Sequence, residues 1–544
     1  MNVGEALLNA LKEAGAKALF GIPGDYALPF FDVIEESRLL PLYTFSHEPA
    51  IGYAADAAAR YGGGVGVAVV TYGAGALNMI NAVACAWSER SPLVIISGAP
   101  GTAEFDQGLL LHHQIRRSGS QMRIFEELTC ARTVLDDPAK APKEIARVLR
   151  ACRRHSRPVY IELPRNIPQA PCQPVQNFFQ GEHDEDEDAA RLCAEAIKRQ
   201  LAKAKRPAIL ADVEVRRFGL EDSVIALAAK TGIPLATTFM GKGMFTGHKS
   251  VCMGTYLGMA GDAALRDSIE DSDCLLMMGV IASDTNLGMA GKKIDLTKAI
   301  RINEGCVLTG EEKFEGINLA DLVKKLQSIL PAKSSKYLSV NHAEETSPKE
   351  NRLLRADDIA GIVNAQLKTS PKTPLAVDVG DCLFISMSIR DVPFLASGYY
   401  ATMGFGVPAG LGVQAATGER PLIIVGDGGF QMTGWELLNC ARSGLDPVVL
   451  VLNNGSWGML KQFQPQAGYT SRGDISYAAL AGTLGGDGYK ATTTGELAEA
   501  LQKAFRQRGK FQLVEALLPK GDISTTLKRY IAAMKSGMAL QAVA

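Results

Sequence analysis

Short apolar runs alternate with helix-period stretches along the whole chain, and that alternation predicts the fold. In the first third, Val65–Thr71 and Leu93–Ser97 read as strands around a helix over Ala76–Ser88. In the middle, Ala208–Ala211 and Pro234–Thr238 flank a helical Leu220–Lys230. In the last third, Leu422–Val425 and Pro447–Leu452 flank a helix over Gly434–Ser443. These runs are continuous Val, Ile and Leu rather than alternating, as in parallel strands covered on both faces. The expected class is α/β, with three doubly wound parallel-sheet domains. Such sheets bind ligands beyond the carboxyl ends of their strands.

Two polar stretches, Phe178–Asp188 and Pro331–Glu350, interrupt the pattern and read as solvated connectors. They leave domains of 1–175, 189–330 and 352–544. A chain of 544 residues fits about three domains, each large enough for its own core. No short repeat or low-complexity tract is evident.

Composition narrows the function classes. Lys+Arg 57 against Asp+Glu 58 leaves a net charge of −1, so no overall basic field exists to hold nucleic acid or an anionic membrane. The N-terminus lacks a basic region followed by an apolar one, so no secretory signal is expected. The longest uncharged stretch, Phe394–Gly418, holds six glycines and a proline. Such turn-rich backbone cannot be satisfied in lipid, and it reads as buried loop and helix. The ten cysteines include no CxxC pair and suit the reduced thiols of a cytoplasmic protein.

The strongest chemical signal is Gly426-Asp427-Gly428-Gly429, directly after the strand Leu422–Val425, with Asn453-Asn454 closing the next strand. Asp427 and Asn454 lie 27 residues apart, one turn, one helix and one returning strand. Thr433 and Glu436 form a capping box at the helix start, and Gly444 marks its end. Asp427 and Asn454 should then sit side by side at the carboxyl edge of adjacent strands. Gly428 and Gly429 allow backbone N–H groups to approach phosphate oxygens. Asp427, the Asn454 amide and a carbonyl near Ser456 are hard oxygen ligands suited to Mg²⁺ on a diphosphate.

This arrangement resembles the thiamine diphosphate enzymes, whose signature is GDG followed one βαβ unit later by NN. The resemblance spans essentially the whole chain. It implies the domain order pyrimidine-binding, central and diphosphate-binding. Thiamine diphosphate and Mg²⁺ are the implied cofactors. Glu48, in Ser46-His47-Glu48-Pro49, opens an Ala-rich helix that runs to Arg60 and stops at Gly62-Gly63-Gly64. Alone it would be a first-turn acid complementing the helix dipole. The resemblance implies a buried Glu48 that hydrogen-bonds the aminopyrimidine ring and drives the tautomer that deprotonates the thiazolium carbon. Ala401-Thr402-Met403 resembles the segment that bends the cofactor, with Met403 wedged between its rings.

The motifs GIPGD, HEP and LLLHHQ, in this order, resemble the 2-oxo acid decarboxylase branch. That implies active-site, proton-handling roles for Asp25, His112 and His113. Read alone, Asp25 is a turn former, and adjacent histidines on a helix diverge, so a shared metal is not expected. The stretch Gly279–Asn286 matches the branch's G-x-x-x-S-D-x-N, which implies that Asp284 lies near the reacting carbon.

Two departures bear on the substrate. Pyruvate decarboxylases carry a Glu six residues after the second Asn, where this chain has Leu460. They carry Phe after the central SD, where it has Thr285. With Thr402, these positions would line an apolar, roomy pocket. The expectation is an aromatic 2-oxo acid, in the manner of phenylpyruvate and indolepyruvate decarboxylases. A carboligase, or a non-catalytic protein that kept the fold, remain alternatives; the histidine pair argues against the first, the Glu48–Asp427–Asn454 set against the second. A dinucleotide enzyme would need a G-x-G-x-x-G that is absent. The resemblance further implies a homo-oligomer, with a dimer as the least catalytic unit and a homotetramer common.

Overall fold

Three sheets carry the chain. In the first, β1 (Leu19–Gly21), β2 (Leu42–Thr44), β3 (Gly66–Val70), β4 (Leu93–Ala99), β5 (Ala131–Val134) and β6 (Val159–Pro164) are all parallel, in the order β2-β1-β3-β4-β6-β5. The order reverses between β1 and β3. The central sheet holds β7 (Pro207–Ala211), β8 (Leu235–Thr237), β9 (Cys252–Thr255), β10 (Cys274–Met278), β11 (Ile300–Asn303), β12 (Gly305–Thr309) and β13 (Glu312–Ile317), in the order β13-β12-β11-β10-β7-β8-β9. The third holds β14 (Leu375–Val377), β15 (Phe394–Ala396), β16 (Leu422–Gly426), β17 (Val448–Asn453), β18 (Asp487–Ala491) and β19 (Gln512–Leu517). Its order, β15-β14-β16-β17-β19-β18, repeats the first sheet strand for strand.

This computed structural model describes residues 1–104, 109–176, 187–248, 250–287, 289–292, 294–310, 312–333 and 350–543. Most of the connectors 178–188 and 331–350 lies outside them.

The α/β class holds, with one modification. β12 pairs antiparallel with both β11 and β13, so the central sheet ends in an antiparallel edge. That edge is half solvated: β13, Glu-Lys-Phe-Glu-Gly-Ile, buries only Ile317. The buried runs are the ones that lack alternation; every residue of β3, β4 and β6 is buried.

The first and third domains meet along two helices. Glu48–Gly62 is rich in alanine and lies on Gly406–Thr417, which ends the long uncharged stretch. A Cβ at Gly412 would come within 2.1 Å of the Ala54 carbonyl oxygen, so the backbones touch where no side chain could fit. Tyr53 and Phe405 pack edge to face beside this contact, with centroids 5.7 Å apart.

Two helix readings are corrected. The helix after β16 starts at Asp427, not Gly434. It runs to Thr433, tightens to a 3₁₀ turn over Gly434–Asn439, and resumes over Cys440–Ser443 before Gly444. No capping box forms, because the Thr433 hydroxyl donates instead to the Gly404 carbonyl at 2.8 Å. The helix read over Ala76–Ser88 starts at Ala74 and is interrupted at Met79.

Candidate active site

Open α/β sheets bind ligands where strand order reverses, and in the third sheet the reversal falls between β14 and β16. Gly426 pairs in register with Leu452, so Asp427 and the Asn453-Asn454 pair emerge from adjacent strand ends. The Asp427 Oδ1 accepts from the Gly428 N–H at 2.9 Å. Its Oδ2 is buried and has no hydrogen-bond partner. Burial pushes this carboxyl up to about 6.

Around Gly428 the surroundings are equally specific. A Cβ there would lie 2.5 Å from Trp457 Nε1 and 3.2 Å from Met403 Cε. Trp457 Nε1 is a buried donor without a partner, and so is Arg472 Nε, whose guanidinium stacks on the Trp457 ring at 4.6 Å. An unsatisfied buried polar group costs roughly 1–3 kcal/mol. Here one acceptor and two donors stay unpaired around a glycine. The Asn454 Oδ1 accepts from the Ser456 N–H at 3.1 Å, its Nδ2 donates to the Asp522 carbonyl at 3.0 Å, and the Ser456 hydroxyl donates to Thr470. An oxygen ligand for a cation and N–H groups for an anion, side by side, fit a metal-bound diphosphate.

Met403 reaches this cradle from the loop after β15. Ala401 is exposed and left-handed (φ 55°). Thr402 is buried, and its hydroxyl meets Tyr53 Oη at 2.9 Å and accepts from Asn81 at 3.1 Å.

In the first domain, Asp25 follows β1, and both histidines converge on it. His112 Nε2 is bonded to Asp25 Oδ2, and His113 Nε2 lies 4.0 Å from Oδ1. The helix expected at His112-His113 is a turn with His113 left-handed (φ 64°), which is why adjacent rings point the same way. The divergence read from the sequence is therefore overturned. The ligand atoms of this exposed trio all lie within 4.8 Å of one another. Tyr26 completes the cluster: its hydroxyl lies 3.0 Å from His112 Nδ1, and its ring stacks on the imidazole at 4.5 Å. Burial raises Asp25, but the His112 hydrogen bond and charge outweigh it and hold the carboxyl below its ordinary value.

Glu48 is the first residue of its helix and is half-buried rather than enclosed. Its Oε2 accepts from Asn78 Nδ2 at 2.7 Å. Among the described residues, no hydrogen bond or ion pair joins Glu48 to the Asp25 or the Asp427 cluster. The loop before it is fastened by Glu436, whose Oε2 accepts from the Ser46 N–H at 2.9 Å and from Asn439 at 2.8 Å. Burial pushes Glu436 up to about 7. The residue read as a cap is thus a tie between domains.

Asp284 is exposed and accepts from the Thr285 N–H at 2.8 Å, and its charge adds to the burial that raises Tyr530. Thr285 bonds Ser283. The Asn of the S-D-x-N stretch has a plain job: Asn286 Nδ2 donates to buried Asp212 at 2.9 Å, which also accepts from the Ile281 N–H at 3.0 Å. Leu460 sits on the helix Gly458–Phe463 and is 51% exposed.

Sequence reasoning missed Tyr26, Trp457 and Asp212. Tyr26 and Trp457 adjoin motifs that were read. Asp212 left no signal beyond its place after a strand.

Comparison with known proteins gives the class. Thiamine pyrophosphate enzyme models match in order along the chain: the N-terminal TPP binding domain over residues 1–123, the central domain over 194–304, and the C-terminal TPP binding domain over 378–516. The chain belongs to the thiamine pyrophosphate (thiamine diphosphate) enzymes. Within them it is 49% identical over 539 residues to an indole-3-pyruvate decarboxylase of Azospirillum brasilense, covering 98% of each chain. It is 30% identical to an alpha-keto-acid decarboxylase of Mycobacterium leprae, covering 96% of this chain and 94% of that one.

Proposed function

We propose that this enzyme is a non-oxidative decarboxylase that splits an aromatic 2-oxo acid, phenylpyruvate or indole-3-pyruvate, into the aldehyde and carbon dioxide. Thiamine diphosphate and Mg²⁺ are its cofactors. The observation that carries the reading is the unpartnered Asp427 Oδ2 beside side-chain-free Gly428 and the unpaired Trp457 N–H. The 49% identity to an indole-3-pyruvate decarboxylase supports the reaction and the substrate class.

Asp427, the Asn454 amide and the backbone at Ser456 would hold the metal. The backbone at Gly428 and Gly429 would hold the diphosphate, with Ala401 and Met403 positioned for its rings. Bound there, the cofactor supplies a carbon nucleophile and an electron sink for the loss of carbon dioxide. Glu48 would hydrogen-bond the pyrimidine and set its protonation. The Asp25–His112 pair holds a proton at His112 Nε2, and Tyr26 hydrogen-bonds Nδ1, which fixes the ring's tautomer. His113, within 4.0 Å of the same carboxylate, shares the task of passing that proton to the aldehyde carbon. Asp284 orients the substrate carboxylate. Thr285 and Leu460 leave room for an aromatic side chain and keep its surroundings apolar.

The domains 1–175, 189–330 and 352–544 are the pyrimidine-binding, central and diphosphate-binding units. The working unit is a homo-oligomer, at least a dimer and closed as a tetramer, in which Glu48 of one copy serves the Asp427 cradle of another. Two features support this: Glu48 bonds to neither cluster of its own chain, and Met432, Trp435 and Leu438, following Asp427, are exposed. The ten cysteines are all unpaired, which supports a cytoplasmic setting. Among the described residues, no helix is long and apolar enough to cross a membrane.

Product analysis tests the reading. NMR of a reaction mixture with phenylpyruvate should show phenylacetaldehyde as the first product; a hydroxyketone as sole product would assign the enzyme to carbon–carbon ligation instead.

A further inference from the structure

Met403 owes its position over Gly428 to a segment, residues 397–405, that belongs to no strand or helix. Its front end is held from another domain. One oxygen of Glu89, the residue that caps the helix Ile80–Ser88, accepts three hydrogen bonds: from Ser397 Oγ at 3.2 Å, and from the Tyr399 and Tyr400 N–H groups at 2.9 Å each. The other oxygen pairs with Arg60, which also binds Asp56 and donates to the Ala396 carbonyl at 3.3 Å. Glu89 and Asp56 are fully buried and Arg60 is 5% exposed.

The rear end is held from below. Asp378, directly after β14 and 1% exposed, accepts from the Gly404 N–H at 3.2 Å and the Gly406 N–H at 2.9 Å. Its carboxyl group also abuts Gly429, where a Cβ would come within 2.9 Å. Between the two carboxylates the backbone bends through left-handed positions at Ala401 (φ 55°) and Gly404 (φ 84°). For alanine that conformation is strained, and it persists only where neighbours over-determine it. Two buried acids, one from each domain, supply that constraint.

We propose that Glu89 and Asp378 are positioning residues, which suspend the 397–406 segment between them and so hold Met403 at the cofactor cradle. This rests on the reading of Asp427 and Gly428 as the diphosphate site. It assigns a task to two buried acids that the reaction itself does not use. It also makes the cradle in the third domain depend on packing of the first.

Glu89→Gln keeps the size but removes the charge and puts a donor where acceptors stood. Full-length protein with ¹³C-methyl methionine, with Met403 assigned by Met403→Leu, gives a signal that needs no turnover. The parent should show one sharp Met403 resonance that shifts when thiamine diphosphate and Mg²⁺ are added. In Glu89→Gln that resonance should broaden or split, the buried Met79 resonance should stay put, and cofactor affinity by calorimetry should fall at least tenfold. Asp378→Asn attacks the other end and should give the same signature. An unchanged Met403 resonance with affinity within twofold in both variants would overturn the proposal. A parent whose sharp Met403 signal ignores the cofactor would overturn the diphosphate reading instead.

Discussion

Asp427→Asn should move the stability of the free and the cofactor-loaded protein in opposite directions. In the free protein the carboxylate is 4% exposed with one oxygen unpartnered, and burial lifts it from 3.8 to about 6. A rise of about two pH units corresponds to about 3 kcal/mol of destabilisation once the group is ionised. The sign is fixed by proton counting. The folded form binds more protons than the unfolded form between about pH 4 and 6, so stability from this group falls as pH rises through that window and is fully lost above it. The amide carries no charge to bury and can still accept from the Gly428 N–H, so the cofactor-free variant should unfold at a higher temperature than the parent at pH 8. That gain should vanish near pH 4. Cofactor works the other way. At a concentration 100 times its Kd it would stabilise the parent by about 2.7 kcal/mol, and the variant, short of a charged metal ligand, should gain almost nothing. Thermal unfolding at pH 4.5 and pH 8, with and without thiamine diphosphate and Mg²⁺, reads both effects. A variant that is less stable than the parent when free, yet gains as much from cofactor, would refute the reasoning.

Glu48→Gln should abolish nearly all turnover while shifting stability by less than about 1 kcal/mol, since the amide oxygen can still accept from Asn78 and the charge at the helix start is what is lost; retention of most activity in a steady-state assay would remove Glu48 from the mechanism. Thr285→Phe should lower kcat/KM for phenylpyruvate at least tenfold relative to pyruvate, and an unchanged ratio would show that Thr285 does not line the pocket. Gly412→Ala should cost about 1–3 kcal/mol in thermal unfolding, because its methyl group would fall 2.1 Å from the Ala54 carbonyl oxygen and two packed helices would have to part; a Tm equal to the parent's would show that the interface is slack.

What the sequence revealed depended on how local the cause was. Gly426–Gly429 and Asn453-Asn454 were legible because one βαβ unit brings them together wherever such a unit folds. The doubly wound class was legible because β3, β4 and β17 are continuous apolar runs. The His112-His113 turn was not, since nothing local announces that His113 adopts a left-handed backbone. The capping box failed for a long-range reason: Thr433 and Glu436 have the right spacing, but Gly404 and Ser46 claim them. Glu89 and Asp378 were invisible for the same cause. Each binds a segment hundreds or tens of residues away, and a lone acid carries no mark of a distant partner. The match in strand order between the first and third sheets leaves no mark in the sequence, because topology repeats without any repeat of residues.

The most direct measurement is steady-state turnover of the purified protein with phenylpyruvate, indole-3-pyruvate, pyruvate and a branched 2-oxo acid, with and without thiamine diphosphate and Mg²⁺. The account predicts aldehyde and carbon dioxide release that requires both cofactors and is fastest with the aromatic acids. Cofactor that binds without releasing carbon dioxide from any of the four acids would contradict it.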